Sequence, residues 1–172
     1  MRKLTRTALA VLAGGMTVVA LGTSSSATTL RGQDAHVIVE GTWSDPGPTI
    51  DSITPSGPDF AVALRGNTTV AGPFTGASSY SFTLRVDRKN GKSHGPGQET
   101  FTASLDGKGS GTVTFAELLH QDADGSTVVT GTVVSGTGVF QDAHGAMRFV
   151  GVSQSGTNTG TGTYRLVLEL SA

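Results

Sequence analysis

Apolar and polar side chains alternate along most of this chain with a period of two, and no stretch beyond residue 27 carries a convincing helical period. Tyr80, Phe82, Leu84 and Val86 alternate with Ser81, Thr83, Arg85 and Asp87. Phe101, Ala103 and Leu105 alternate with Thr100, Thr102 and Ser104, and Val113 and Phe115 with Thr112 and Thr114. Tyr164, Leu166, Leu168 and Leu170 alternate with Thr163, Arg165 and Glu169, interrupted by Val167. A two-residue period is that of a strand with one buried face. Shorter runs of the same kind cover residues 36–43, 60–64, 127–134 and 147–153. Asn90-Gly91, Asp106-Gly107 and Asp124-Gly125 are hairpin dipeptides between these runs. Residues 156–162 read as a Gly/Thr/Asn loop, and the proline-rich residues 44–58 as a long surface loop between the first two strands.

Eight such strands, each with one apolar face, predict an all-β fold. The expected form is a closed eight-stranded antiparallel barrel, because closure removes unpaired strand edges. A two-sheet β-sandwich is the alternative, since its sequence pattern is similar. A barrel of eight strands is wide enough to be filled by its own side chains or to admit one small ligand.

The front of the chain follows other rules. Arg2, Lys3 and Arg6 precede a mostly apolar run over residues 8–21, followed by Thr23, Ser24, Ser25, Ser26 and Ala27. This is the order of a secretory signal. Cleavage is expected after Ala27, leaving residues 28–172 as a single barrel domain, secreted to the extracellular side. The apolar run is shorter than the roughly 20 residues that span a bilayer, so no membrane anchor is expected after cleavage. The chain has no cysteine, which excludes disulfides, thiolate metal sites and a lipid-bearing cysteine. A net charge of -1 offers no electrostatic footprint for nucleic acid.

The segment Gly136-Thr137-Gly138-Val139-Phe140-Gln141-Asp142-Ala143-His144-Gly145 is the most specific motif. Gly136 and Gly138 permit backbone angles closed to other residues, and a turn over residues 140–144 would let Phe140 plug one end of a barrel. Ala143 and Gly145 would be small where backbones pack closely. The motif resembles the Gly-Thr-Gly-x-Phe-x-x-Ala-x-Gly segment of dirigent proteins and allene oxide cyclases. Gly97-Gln98-Glu99-Thr100-Phe101 and Leu105-Asp106-Gly107-Lys108-Gly109-Ser110-Gly111 are similar to the pattern of an uncharacterised bacterial family thought to share that barrel. The resemblance runs over residues 74–170 and is most specific over 97–150. It implies a barrel cavity for a small, mostly apolar molecule. Allene oxide cyclases hold an unsaturated fatty-acid epoxide there, and dirigent proteins orient phenolic radicals or quinone methides. The glutamate and cysteine of the cyclase cavity do not both have counterparts here, because cysteine is absent. Both groups associate, so the resemblance also implies a homo-oligomer.

Glu117 shares strand parity with Val113 and Phe115, and Glu99 with Phe101 and Ala103. If the apolar face lines the barrel, these carboxyls point inward, where burial raises their pKa and suits them to acid or base work near neutral pH. The alternative puts each at a strand end near water. Tyr80 and Tyr164 also share the apolar parity, as pocket-lining hydroxyls or as core residues with satisfied hydroxyls. Trp43, the only tryptophan, ends the first strand as a ligand platform or as a core anchor at the barrel mouth. Arg85, Arg148, Arg165 and Glu169 fall on the outer parity.

No metal site and no cofactor are expected. His36, His94, His120 and His144 are scattered, and the residues from His120 lack the first and last ligands of a calcium loop. Gly91-Lys92-Ser93-His94-Gly95 and Gly107-Lys108-Gly109-Ser110-Gly111-Thr112 match catalytic patterns only in letters, because no helix follows either. Three functional readings result: a binder of a small hydrophobic molecule, a cofactor-free cyclase or isomerase using Glu117 or Glu99, and a filled barrel with a structural or interaction role. An open cavity with an inward carboxyl favours the enzyme, an apolar one the binder, and a packed barrel the third.

Overall fold

The computed structural model describes residues 35–154 and 159–171. The expected signal over residues 1–27 and part of the 156–162 loop lie outside the described residues. Ten strands follow in order: β1 (Ala35–Asp45), β2 (Thr49–Ser56), β3 (Asp59–Gly66), β4 (Thr69–Ala71), β5 (Phe74–Val86), β6 (Ser93–Leu105), β7 (Gly109–Gln121), β8 (Ser126–Gly136), β9 (His144–Ser153) and β10 (Gly160–Leu170). All their ladders are antiparallel. Eight of them close into a barrel in the order β5-β4-β1-β10-β9-β8-β7-β6, with β6 returning to β5. The sandwich alternative is excluded by that closure.

The eighth stave is not the strand that alternation suggested. Seven of the eight expected strands lie in the ring, but residues 60–64 belong to β3, which pairs with the far half of β5 and carries β2 outside the ring. Closure runs instead through the short β4, too brief to show a period. The expected surface loop over residues 44–58 is also corrected, since it contains β2. Every residue of β2 is exposed, Ile50 and Ile53 included. This strand is made by its pairing with β3 rather than by burial, so it has no alternation to read. Its Pro55 is tolerated because an edge strand can spare an N–H.

The ring closes through a narrow seam. β1 meets β4 at Thr42↔Ala71, Trp43↔Val70 and Ser44↔Thr69, whereas β1 meets β10 along its whole length. Below the seam, the Tyr164 hydroxyl donates to the Phe74 carbonyl at 2.6 Å and accepts from the Phe74 N–H at 3.3 Å. Tyr164 reaches Phe74 across Gly41, where a Cβ would lie 2.5 Å from the hydroxyl. The side chain thus satisfies two backbone groups that no strand reaches.

The Gly136–Gly145 motif closes one end of the barrel. A single 3-10 turn covers Gly138–Phe140, slightly earlier than expected, and Phe140 is fully buried edge-on against Phe74 at 5.9 Å. Gly138 adopts φ +61, as the sequence suggested. Gly136 does not have a positive φ; it is small because a Cβ would lie 2.0 Å from the Phe140 carbonyl oxygen. Ala143 is buried, and at Gly145 a Cβ would approach the Val167 carbonyl oxygen to 2.1 Å. Arg85, Arg165 and Glu169 lie outside and pair with Asp59, Glu40 and His36 respectively.

Candidate functional site

Inward positions along β6 run Ser93, Gly95, Gly97, Glu99, Phe101, Ala103, Leu105, and along β10 run Gly160, Gly162, Tyr164, Leu166, Leu168, Leu170. Both strands therefore pass from glycine at one end of the barrel to large apolar side chains at the other. Phe74, Phe101, Phe115 and Phe140 fill the second end with edge-to-face contacts. The glycine end stays open and holds a cavity of about 110 Å³. Its walls include Trp43, Leu64, Tyr80, Phe82, Phe149 and Glu99, with Asp45 at the end of β1. Grooves on the outer wall, such as one bordered by Glu40, Arg148 and Arg165, are broader but lie open to solvent.

The large side chains of the open end lie across neighbouring glycines. Trp43 stacks on Phe149 at 6.0 Å and donates its indole N–H to the Val150 carbonyl at 3.3 Å. A Cβ on Gly151, Gly160 or Gly162 would strike its indole ring. Phe82 lies over Gly97 in the same way. These aromatic planes, laid flat where side chains are missing, form the cavity wall.

Glu99 and Glu117 both face inward and are 3% and 6% exposed. Gly97 pairs with Glu117 and Glu99 with Phe115, so the carboxyls are diagonal neighbours across β6 and β7. Ser78, on β5, donates its hydroxyl to Glu99 Oε1 and accepts from the Thr68 N–H at 3.0 Å. Burial raises the pKa of Glu99 against the opposing effect of the Ser78 bond. Burial also raises Glu117, and the charge of Glu99 beside it raises it further. Neither carboxyl oxygen of Glu117 has a hydrogen-bond partner of normal geometry. Two like charges without a cation are costly in an apolar interior, so the neutral form is favoured. Glu99 reaches the cavity wall; Glu117 lies behind it, outside the lining.

Tyr80 is the second polar group on the wall. Its hydroxyl donates to Asp45 Oδ2 at 2.5 Å, and the Gly47 N–H donates to Asp45 Oδ1 at 2.6 Å. Burial, followed by the Asp45 bond, pushes the Tyr80 hydroxyl well above the phenol range, so it stays protonated. Gly66 leaves the space this ring occupies. Tyr164, by contrast, does not line the cavity; its hydroxyl is committed to Phe74.

Of the residues singled out from sequence, the fold thus gathers Trp43, Tyr80 and Glu99 around one space and sets Glu117 just behind them. Asp45, Ser78, Phe82 and Phe149 complete the site. Phe82 and Ser78 share the parity of Tyr80 and could have been assigned to the inner face. Asp45 shares the parity of Trp43 but fell inside the expected 44–58 loop, where parity was not read. Among the described residues, no group of three or more His, Asp or Glu side chains is placed to hold a metal ion.

A closed antiparallel barrel, blind at one end and hollow at the other, defines the class: this chain has the dirigent-like β-barrel fold. It is similar in structure to the pterocarpan synthase dirigent protein PsPTS1, with TM-score 0.62 and 13% identity over 81% of this chain and 98% of that one. It is similar to a protein of unknown function from the DUF3224 family of Shewanella oneidensis MR-1, with TM-score 0.61 and 16% identity over 80% of this chain and 100% of that one. A second pterocarpan synthase dirigent protein, GePTS1, matches with TM-score 0.57 and 15% identity over 83% and 89% of the two chains. No protein-family model matches the sequence, and no curated protein matches it at a significant level.

Proposed function

We propose that this protein is exported after cleavage behind Ala27 and binds a small, mostly apolar molecule in the open end of its barrel. The observation that carries the reading is the cavity of about 110 Å³ at the open end of the barrel, walled by Trp43, Phe82 and Phe149 together with Leu64 from β3, while the other end is solid. Small-molecule sites are characteristically concave and apolar, with a few polar groups that fix orientation. Here those groups are Glu99 and Tyr80. The cavity removes the main support for a filled barrel with a purely structural role. A homo-oligomer remains part of the proposal.

A second reading is favoured by the wall chemistry. A neutral carboxyl faces the apolar space and can donate a proton or hydrogen bond to a reactive oxygen, while the Tyr80 hydroxyl, whose proton is held by Asp45, can accept one. Cyclisation or isomerisation needs little more than shape and one such donor. Glu99 would be the donor, kept neutral by burial.

Native mass spectrometry of the protein purified from its own culture medium tests the first reading. A retained small molecule supports it and names the ligand class. No bound molecule, with no uptake from a panel of phenolics and fatty acids, counts against both cavity readings. Turnover of a retained molecule that disappears in Glu99→Gln would favour the enzyme.

A further inference from the structure

Resting on that cavity reading, we propose that the ligand is a small amphipathic amine, with its ammonium group against Asp45 at the mouth and its apolar body between Trp43, Phe82 and Phe149. The charge inventory is the first argument. Asp45 and Glu99 are the acidic groups in the lining, and no lysine, arginine or histidine lines the cavity among the described residues. A carboxylate or phosphate head at the mouth would meet Asp45 and no counter-charge.

Asp45 itself is the second argument. Glu40, Asp51, Asp59, Asp122 and Glu169 each have a basic partner, whereas Asp45, Asp87, Asp106, Asp124 and Asp142 make no ion pair among the described residues, and of these only Asp45 lines the cavity. Asp45 is half-buried and held in place by the Tyr80 hydroxyl and the Gly47 N–H. Those two bonds leave lone pairs on both oxygens, since an ionised carboxylate has about four acceptor sites. A partly desolvated, oriented carboxylate at the mouth of an apolar pocket is a seat for a cation.

The walls supply the third argument. Trp43, Tyr80, Phe82 and Phe149 present aromatic rings to the space, and aromatic faces attract a cation while accepting an apolar body. Glu99, kept neutral by burial, adds no competing charge deeper in the pocket. The positive charge therefore belongs at the mouth and the carbon skeleton inside.

Benzylamine, benzyl alcohol and benzoate, titrated at pH 7 into the purified protein and followed by Trp43 fluorescence and calorimetry, form the test. Benzylamine is expected to bind at least about tenfold tighter than benzyl alcohol, a difference of about 1.4 kcal/mol. Benzoate should bind weakest. Asp45→Asn should erase the amine preference and leave benzyl alcohol binding in place. If that variant fails to fold, raising the salt from about 0.01 M to about 1 M on the unaltered protein should shrink the amine preference, and a preference unchanged by salt overturns the proposal. Equal or tighter binding of the alcohol, or a preference that survives Asp45→Asn, overturns the amine proposal and leaves the cavity reading standing. No binding of any of the three probes overturns both.

Discussion

The two ends of the barrel are built from the same eight strands yet differ in what those strands point inward. At the closed end Phe74, Phe101, Phe115, Leu166 and Leu168 are fully or almost fully buried, and Phe140 caps them. At the open end the same strands contribute Gly97, Gly151, Gly160 and Gly162, and a few aromatic rings lie across them. Glu99 sits where one regime gives way to the other. Stability is thus concentrated at one end and vacancy at the other, so the cavity exists without hollowing out the main core. A buried methylene supplies roughly 0.8 kcal/mol wherever it packs, and the closed end holds most of them.

Substitutions at the two ends should separate in size. Phe101→Ala removes a fully buried ring from the closed end and is expected to cost about 3–5 kcal/mol in urea unfolding. A loss below about 1 kcal/mol would show that the closed end is not the stabilising half. Tyr164→Phe is expected to cost about 1–3 kcal/mol, because the Phe74 N–H and carbonyl lose their partner beside the narrow seam. Its effect should appear chiefly as faster unfolding if the seam closes late in folding.

The carboxyl pair at the boundary should make stability depend on pH. Both folded-state values are raised, so the folded protein keeps protons that the unfolded chain has released. This contribution is complete below the ordinary carboxylate range, about pH 4.3, and is lost as pH rises toward the folded-state values. The expected decline is on the order of 1 kcal/mol per pH unit for one carboxyl. Unfolding curves between pH 5 and pH 8 measure it, and Glu117→Gln should flatten the slope. A stability that rises over that interval would contradict a neutral buried pair. The smallest effect is expected at the open end, where Leu64 is only half-buried on the cavity wall. Leu64→Ala should cost under about 1 kcal/mol while changing ligand affinity, which calorimetry with a bound probe would read.

The fold was readable wherever a strand has one buried face. Residues Tyr80 to Val86 and Tyr164 to Leu170 announced β5 and β10 through their alternation, while parity gave Glu99 and Glu117 an inward reading only beside the alternative of a strand end near water. Reading weakened where pairing rather than burial makes the strand. The exposed β2 showed no period, and β4 was too short to show one. The glycine-rich start of β10 fell within the expected 156–162 loop, and that of β6 was not assigned to a strand, because a missing side chain leaves no periodic mark. Those same glycines make the cavity, so the site was harder to see than the core.

By itself, the sequence determined the all-β class, the inner and outer face of most strands, and the turn that carries Phe140 into one end. These follow from local periodicity and from backbone angles, which depend on neighbours along the chain. Only the tertiary structure decided which stave closes the ring, that Tyr164 is spent on Phe74 rather than on a ligand, and that Asp45 stands beside Tyr80. Each of these depends on strands far apart in sequence meeting at a particular register, and no local pattern encodes that register.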